Sequence, residues 1–166
     1  AMLAMGDALA VALIGRKRLK PEEFALYHPA GALGRRLLKV ADVMRTGKAN
    51  PIVGTGTRVK EVLLAITRAR AGAATVVDSS GKLAGIFTDG DLRRAFEARG
   101  DIASRPIRDF MIRNPITIGP GRLAVEALRV MRGDNPKGRK LDELPVTDAT
   151  RRPVGMLDVV DLIGIG

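Results

Sequence analysis

The chain has 166 residues, 46% of them hydrophobic, and a formal net charge of +10, which is enough length and apolar content to bury one compact core or two small ones. It contains no cysteine, which excludes disulfides, thiolate nucleophiles and zinc–thiolate centres. Its longest apolar run, ALAVALI at 8–14, falls far short of the roughly 20 residues of a membrane-spanning helix.

Residues 1–39 begin with AMLAMGDALAVAL, a helical pattern with no visible cap that reads as a cut through a helix. Asp7 precedes the apolar run and Arg16, Lys17 and Arg18 follow it, the reverse of a secretory signal, so a cytoplasmic location is expected. In LKPEEFALYHPAGALGRRLLKV, Pro21 stands near the start of a second short helix and His28-Pro29 breaks it. His28 is the only histidine. An imidazole suits proton exchange near neutral pH, and it equally suits the plain task of capping a helix end.

From residue 40 the elements form a unit. A helical turn (41–44) passes through Asn50-Pro51 into a brief strand (51–53), because the residue before proline is pushed away from the α region. A helix follows, with Val59, Leu63 and Ile66 on one face. Two strands, 75–77 and 83–88, are joined by Asp78-Ser79-Ser80-Gly81, a hairpin loop with glycine ready for a positive φ. A closing helix carries Leu92 and Phe96 on its apolar face, and Asp89 or Asp91 can cap it.

The same parts recur in the same order. TVVDSSGKLAGIFTDGDL (75–92) aligns without a gap on PVTDATRRPVGMLDVVDL (145–162), pairing Val76 with Val146, Asp78 with Asp148, Gly85 with Gly155, Asp91 with Asp161 and Leu92 with Leu162. Upstream, VADVMRTGKANPIV (40–53) resembles IRDFMIRNPITI (107–118), which predicts a turn at 107–111 and a strand at 115–118. The next helix carries Leu123, Leu128 and Met131. The second copy also has an insertion, GDNPKGRK around 133–140, whose Gly, Asn, Pro and basic residues read as a loop. The fold class is α/β (α+β). A β-α-β-β-α unit has too few apolar faces to stand alone, so two should pack about a pseudo-twofold axis, with repeats at 40–100 and 101–166.

GIFTDGDLRR, at the end of the first repeat, concentrates the polar side chains. Hard cations need six or more oxygens in an organised loop, and no calcium-loop spacing is visible, so no metal is expected. A catalytic acid pair would need a second set of reacting groups that the sequence does not offer. Binding has a physical basis: at a strand-to-helix junction, free N–H groups and the helix dipole favour an anion, and the Thr88 hydroxyl adds a donor. Asp91, an acceptor only, suits the hydroxyls of a ribose. In the second repeat Asp158 replaces Thr88 while Asp161 is retained, so two unequal clefts are expected, the Thr88 cleft being the better. Both aspartates equally suit simple helix caps.

The doubled order, the DVM and DFM turns and the hairpin ending in D-x-x-D resemble a tandem pair of cystathionine-β-synthase (CBS) domains, a Bateman module. That resemblance implies a regulatory module rather than an enzyme. It assigns nucleotide binding to Gly85, Thr88 and Asp91, with the base against Ile52 and Val53 or Ile116 and Ile118, near Pro145 and Val146, and anions met by Arg93, Arg94 or the 137–140 loop. LAMGDALAVAL and FALYHPAGALGR ahead of such a pair resemble the last helices of the sugar isomerase (SIS) domain in the KpsF/GutQ group of D-arabinose 5-phosphate isomerases. Residues 1–39 would then be a helical SIS remnant, and His28 a catalytic histidine inactive without the SIS core. This family converts ribulose 5-phosphate to arabinose 5-phosphate for lipopolysaccharide synthesis, which makes its end product CMP-Kdo the expected regulatory ligand, with adenine nucleotides or a purely structural role as alternatives. Expected partners are the parent's own SIS domain and further copies of the chain, as a dimer of CBS pairs or a tetramer. Nucleic acid is not expected, since the basic residues are scattered and only one tyrosine and four phenylalanines could stack on bases.

Overall fold

The computed structural model describes residues 37–98 and 101–163. The proposed helical remnant at 1–39 and His28 therefore lie, but for its last residues, outside the described part. In chain order the elements are α1 (Val40–Val43), β1 (Ile52–Gly54), α2 (Val59–Ala69), β2 (Ala73–Val77), β3 (Leu83–Thr88), α3 (Asp89–Ala98), β4 (Ile112–Arg113), α4 (Ala124–Met131), β5 (Glu143–Thr147) and β6 (Pro153–Asp158). Short 3-10 turns occupy Gly47–Ala49, Ile107–Asp109 and Val159–Leu162.

The first sheet runs β1-β2-β3-β4, with β1 parallel to β2 and the other pairs antiparallel. The β5-β6 hairpin matches β2-β3 down to the irregularity, which falls between Val76 and Val77 in one and between Val146 and Thr147 in the other. Its outer members shrink to single bridges, Ile118 with Val146 and Arg45 with Met156. The expected strand at 115–118 is thus one bridge. Pro115 has no N–H to donate and Pro120 follows closely, leaving little backbone free to extend the ladder.

Each lead-in turn packs into the core of the other repeat. Val40, fully buried, joins Ile118, Ala124, Leu128, Leu144 and Leu157. Ile107, equally buried, joins Val59, Val62, Ile66, Val76 and Phe87. The exchange is fixed by backbone hydrogen bonds: Val40 N–H donates to Arg122 O at 2.8 Å, and Ile107 N–H donates to Thr57 O at 2.8 Å. A sequence repeat is therefore not a packing unit, because each core is completed by its sibling. Burying such side chains contributes roughly 1.5–3 kcal/mol apiece.

The glycine shared by both hairpins makes the exchange possible. A Cβ on Gly85 would stand 2.7 Å from Ile112 O and 2.7 Å from Met111 Sδ. On Gly155 it would stand 2.5 Å from Met44 Sδ and 3.1 Å from Arg45 O. Each glycine lets the incoming segment of the other repeat lie against the sheet.

Three local expectations need correction. The buried stripe of α2 is Val59, Val62 and Ile66, with Leu63 only partly buried. On α3 the buried apolar residue is Ala95, whereas Phe96 is 53% exposed. The second repeat closes with a 3-10 turn instead of a helix: it begins with two valines, whose χ1 restriction disfavours helix, and Asp158 caps Val160 N–H at 3.0 Å.

Candidate functional site

At the junction of β3 and α3, Asp91 is almost fully buried. Its Oδ2 accepts from Thr88 N–H at 2.9 Å and from the Thr88 hydroxyl at 2.8 Å, while Asp91 N–H donates to Thr88 Oγ1 at 3.3 Å. Its Oδ1 accepts from Arg94 Nη2 at 2.5 Å. The carboxylate is thus a helix cap, as the plainer reading of the sequence allowed. One of its oxygens, however, is held only by a guanidinium whose side chain is 67% exposed, so that oxygen can be released without unfolding the cap.

Beside Thr88 and Arg94 opens a cleft of about 300 Å³. Ile86 and Ile112 form part of its wall, Pro115, Ile116 and Pro145 supply a further apolar surface, and Lys137, Arg139 and Lys140 of the insertion stand with Leu141 on its rim. Asp142 and Glu143 complete it. Its walls come from both repeats because β4 crosses onto β3, pairing Ile112 with Ile86. The mixture of apolar surface and a few polar groups is that of a small-molecule site.

The pseudo-twofold counterpart differs in kind. Arg45, at the position equivalent to Ile112, sends its guanidinium onto the second aspartate: Nε donates to Asp161 Oδ2 at 2.7 Å and Nη2 to Asp161 Oδ1 at 3.0 Å. Asp158, which replaces Thr88, lies 3.2 Å from the same Nη2, and Nη1 donates to Arg70 O at 3.3 Å. The hydrogen bond with Asp161 raises the Arg45 pKa above its ordinary value, burial opposes it, and the charges of Asp161, Asp158 and Glu143 add to the rise. A bidentate fork of this kind is among the strong polar contacts.

Glu143 is the other electrostatic feature. It stands where the first repeat has Ala73 and pairs with Asp158 across the hairpin, and a Cβ on Gly72 would collide with its carboxyl. Burial pushes its pKa up to about 7, with the charges of Asp142, Asp158, Asp89 and Asp91 adding to the rise.

Of the residues predicted for a ligand site, Thr88, Arg94, Ile116 and Pro145 meet at this cleft; Asp91 does not line it but is hydrogen-bonded to Thr88 and Arg94, which do. Arg93 is exposed but does not line it. Ile52 and Val53 lie on β1, away from it. Ile118 and Val146 are spent in the second core, because the strand face they occupy points inward. Asp161 is engaged by Arg45. The sequence reading missed Arg45, Ile112 and Glu143, although the repeat alignment sets Arg45 against Ile112 and Glu143 against Ala73. Among the described residues no cluster of three or more His, Asp and Glu could hold a metal ion, and no helix is long and apolar enough to cross a membrane.

Comparison with known proteins places these features in context. A model of the CBS domain matches residues 40–98 and 107–165. The chain is 47% identical over 165 residues to arabinose 5-phosphate isomerase KdsD of Pseudomonas aeruginosa, covering 99% of this chain and 49% of that protein. It is 42% identical over 167 residues to KdsD of Escherichia coli K12, covering all of this chain and 49% of that one. The chain thus spans about half the length of these relatives. Among solved structures, the CBS domain pair of protein MJ0100 in complex with 5'-methylthioadenosine and S-adenosyl-L-methionine aligns with a TM-score of 0.64 at 24% identity, over 76% of this chain and 93% of that one. CBSX2 in complex with AMP aligns with a TM-score of 0.62 at 20% identity, over 76% of this chain and 93% of that one.

Proposed function

The chain belongs to the CBS domain family, and on that premise we propose that it is a nucleotide-sensing regulatory module whose working site is the cleft beside Thr88. The observation that carries this reading is the contrast at one pair of equivalent positions: Ile112 lines the cleft beside Thr88, while Arg45 sends its guanidinium onto Asp161. Arg94, beside Thr88 on the cleft wall, meets a phosphate, while the Thr88 hydroxyl keeps Asp91 in place. Once Arg94 turns to the phosphate, Asp91 Oδ1 is free to accept from the ribose hydroxyls. The base lies against Ile112, Ile116 and Pro145.

The similarity to KdsD supports an arabinose 5-phosphate isomerase with its own SIS domain as the parent, a homo-oligomer in the cytoplasm. In such a parent the module reports the state of lipopolysaccharide precursor synthesis, with CMP-Kdo, the activated end product, as the ligand. Adenine nucleotides are the alternative, favoured by the solved CBS pairs that carry AMP or S-adenosyl-L-methionine. For the second repeat a structural role is the better reading, since its polar groups already satisfy one another. Titration calorimetry with CMP-Kdo, CMP, AMP, ATP and S-adenosylmethionine tests the ligand: tightest binding by CMP-Kdo is expected, and a clear preference for adenine compounds would transfer the site to the alternative.

A further inference from the structure

We propose that the insertion at 133–140 is an anion clamp on the Thr88 cleft, which selects nucleotides carrying more than one anionic group. The inference rests on the reading of that cleft as a nucleotide site. Between α2 and β2 the first repeat needs only residues 70–72, whereas between α4 and β5 the second uses 132–142. The extra length is not consumed in packing, for residues 136–140 are all exposed. Its side chains point to a use elsewhere: Lys137, Arg139 and Lys140 all line the cleft.

The loop is held ready for this. Asn135 Nδ2 donates to Val130 O and to Arg139 O, each at 2.7 Å, and Asn135 Oδ1 accepts from Lys137 N–H at 3.1 Å. Gly133 and Gly138 take positive φ values of 115° and 59°, which side-chain-bearing residues rarely adopt. The backbone is therefore fixed while the basic side chains remain available. Among the described residues no carboxylate lies within ion-pair distance of any of the three. Lys137 Nζ donates to Asn114 O at 3.1 Å, which orients the charge without neutralising it.

The charges are also sorted. Arg94 is matched by Asp91, so the loop supplies the unmatched cations, while Asp142 follows it directly and turns a second anionic group away from its side of the cleft. A nucleoside engages the apolar wall alone, and a monophosphate adds the Thr88–Arg94 corner. A diphosphate, or a monophosphate bearing a further acid, also reaches the loop. A clamp of this type differs from scattered surface charge by its location, which is the basis of the test.

Binding of adenosine and cytidine and of their mono-, di- and triphosphates is measured by calorimetry for the intact chain. The loop variant K137A/R139A/K140A is compared with a charge-matched control, K48A/K60A/R68A, whose positions are exposed and away from the cleft; circular dichroism verifies folding of both. The clamp predicts affinity rising about tenfold for each phosphate beyond the first, the size of one charge-assisted hydrogen bond. That rise disappears in the loop variant and persists in the control, with monophosphate affinity little changed. A flat dependence on phosphate number, or equal losses in both variants, overturns the clamp and leaves the cleft reading standing. No binding of any compound, nucleosides included, overturns the cleft reading itself.

Discussion

Arg45 and Asp161, drawn from the lead-in turn of one repeat and the closing turn of the other, form a two-pronged ion pair at 2.7 and 3.0 Å. The pair has no counterpart in the first cleft, where Ile112 replaces Arg45 and Thr88 replaces Asp158. The two exchanges compensate each other. A guanidinium beside Thr88 would lack its second carboxylate, and an isoleucine beside Asp158 and Asp161 would leave two acids crowded together without a cation. The carboxylates of the second repeat are thereby engaged by the protein's own side chain.

Converting the second cleft to the composition of the first should open it. The double variant Arg45→Ile with Asp158→Thr is expected to raise ligand stoichiometry in calorimetry from one to two per chain. Arg45→Ile alone leaves Asp158 and Asp161 uncompensated and should destabilise the fold by about 1–3 kcal/mol in urea denaturation, less than a fully buried pair because the groups retain some solvent. A double variant less stable than this single one would contradict the compensation.

Gly85 and Gly155 should not tolerate a methyl group equally. Gly85→Ala meets a backbone oxygen, that of Ile112 at 2.7 Å, whereas the nearest contacts of Gly155→Ala are the flexible end of Met44, with Arg45 O farther away at 3.1 Å. Overpacking of this kind costs about 1–3 kcal/mol, and Gly85→Ala is expected at the upper end. Because Ile112 also lines the cleft, that variant should weaken ligand binding too, whereas Gly155→Ala should not.

The organisation by repeats was legible because the residues that enforce it are repeated as identities: the paired glycines admit the crossing segment and the paired aspartates cap the closing turns. What each position does was less legible. Strand alternation shows that Ile118 and Val146 face one way, but not whether a core or a cleft lies there, and both are in the core. The α3 stripe was misjudged by one residue, so Phe96 is exposed where Ala95 is buried. The DVM and DFM turns set Arg45 opposite Ile112, yet the engagement of Arg45 with Asp161 follows from the exchange of lead-in turns, a tertiary feature that no local pattern encodes.

Glu143 predicts a pH dependence of stability. Its folded pKa, about 7, stands above the ordinary carboxylate value of 4.5, so between these values the folded state holds the proton more tightly than the unfolded state. Stability should therefore fall as pH rises from about 4.5 to 7, by an amount of the order of 1 kcal/mol once solvent screening is allowed for, and change little above that window. Asp78 and Asp148, whose pKa values are lowered chiefly by the hydrogen bonds within their turns, act in the opposite sense and only at more acid pH. Glu143→Gln should flatten the profile between pH 4.5 and 7; an unchanged slope in that variant would assign the effect elsewhere.

Asp91→Asn keeps the shape of the cap but removes the charge that holds Arg94 and accepts from a ribose. Loss of the charge from these hydrogen bonds should cost about 1–2 kcal/mol in thermal or urea melts. Thr88→Val removes only the hydroxyl, and should cost less in stability while still weakening binding. Full ligand affinity in a folded Asp91→Asn protein would remove Asp91 from the site.

If the Thr88 cleft is the working site and Arg45 occupies its counterpart, the number and place of bound ligands are the most direct readout. Titration calorimetry of the intact chain with CMP-Kdo, repeated on the Asp91→Asn and Asp161→Asn variants, should give one ligand per chain, with binding abolished by the first substitution and retained after the second. Two ligands per chain, or binding that depends on Asp161 and not on Asp91, would contradict it.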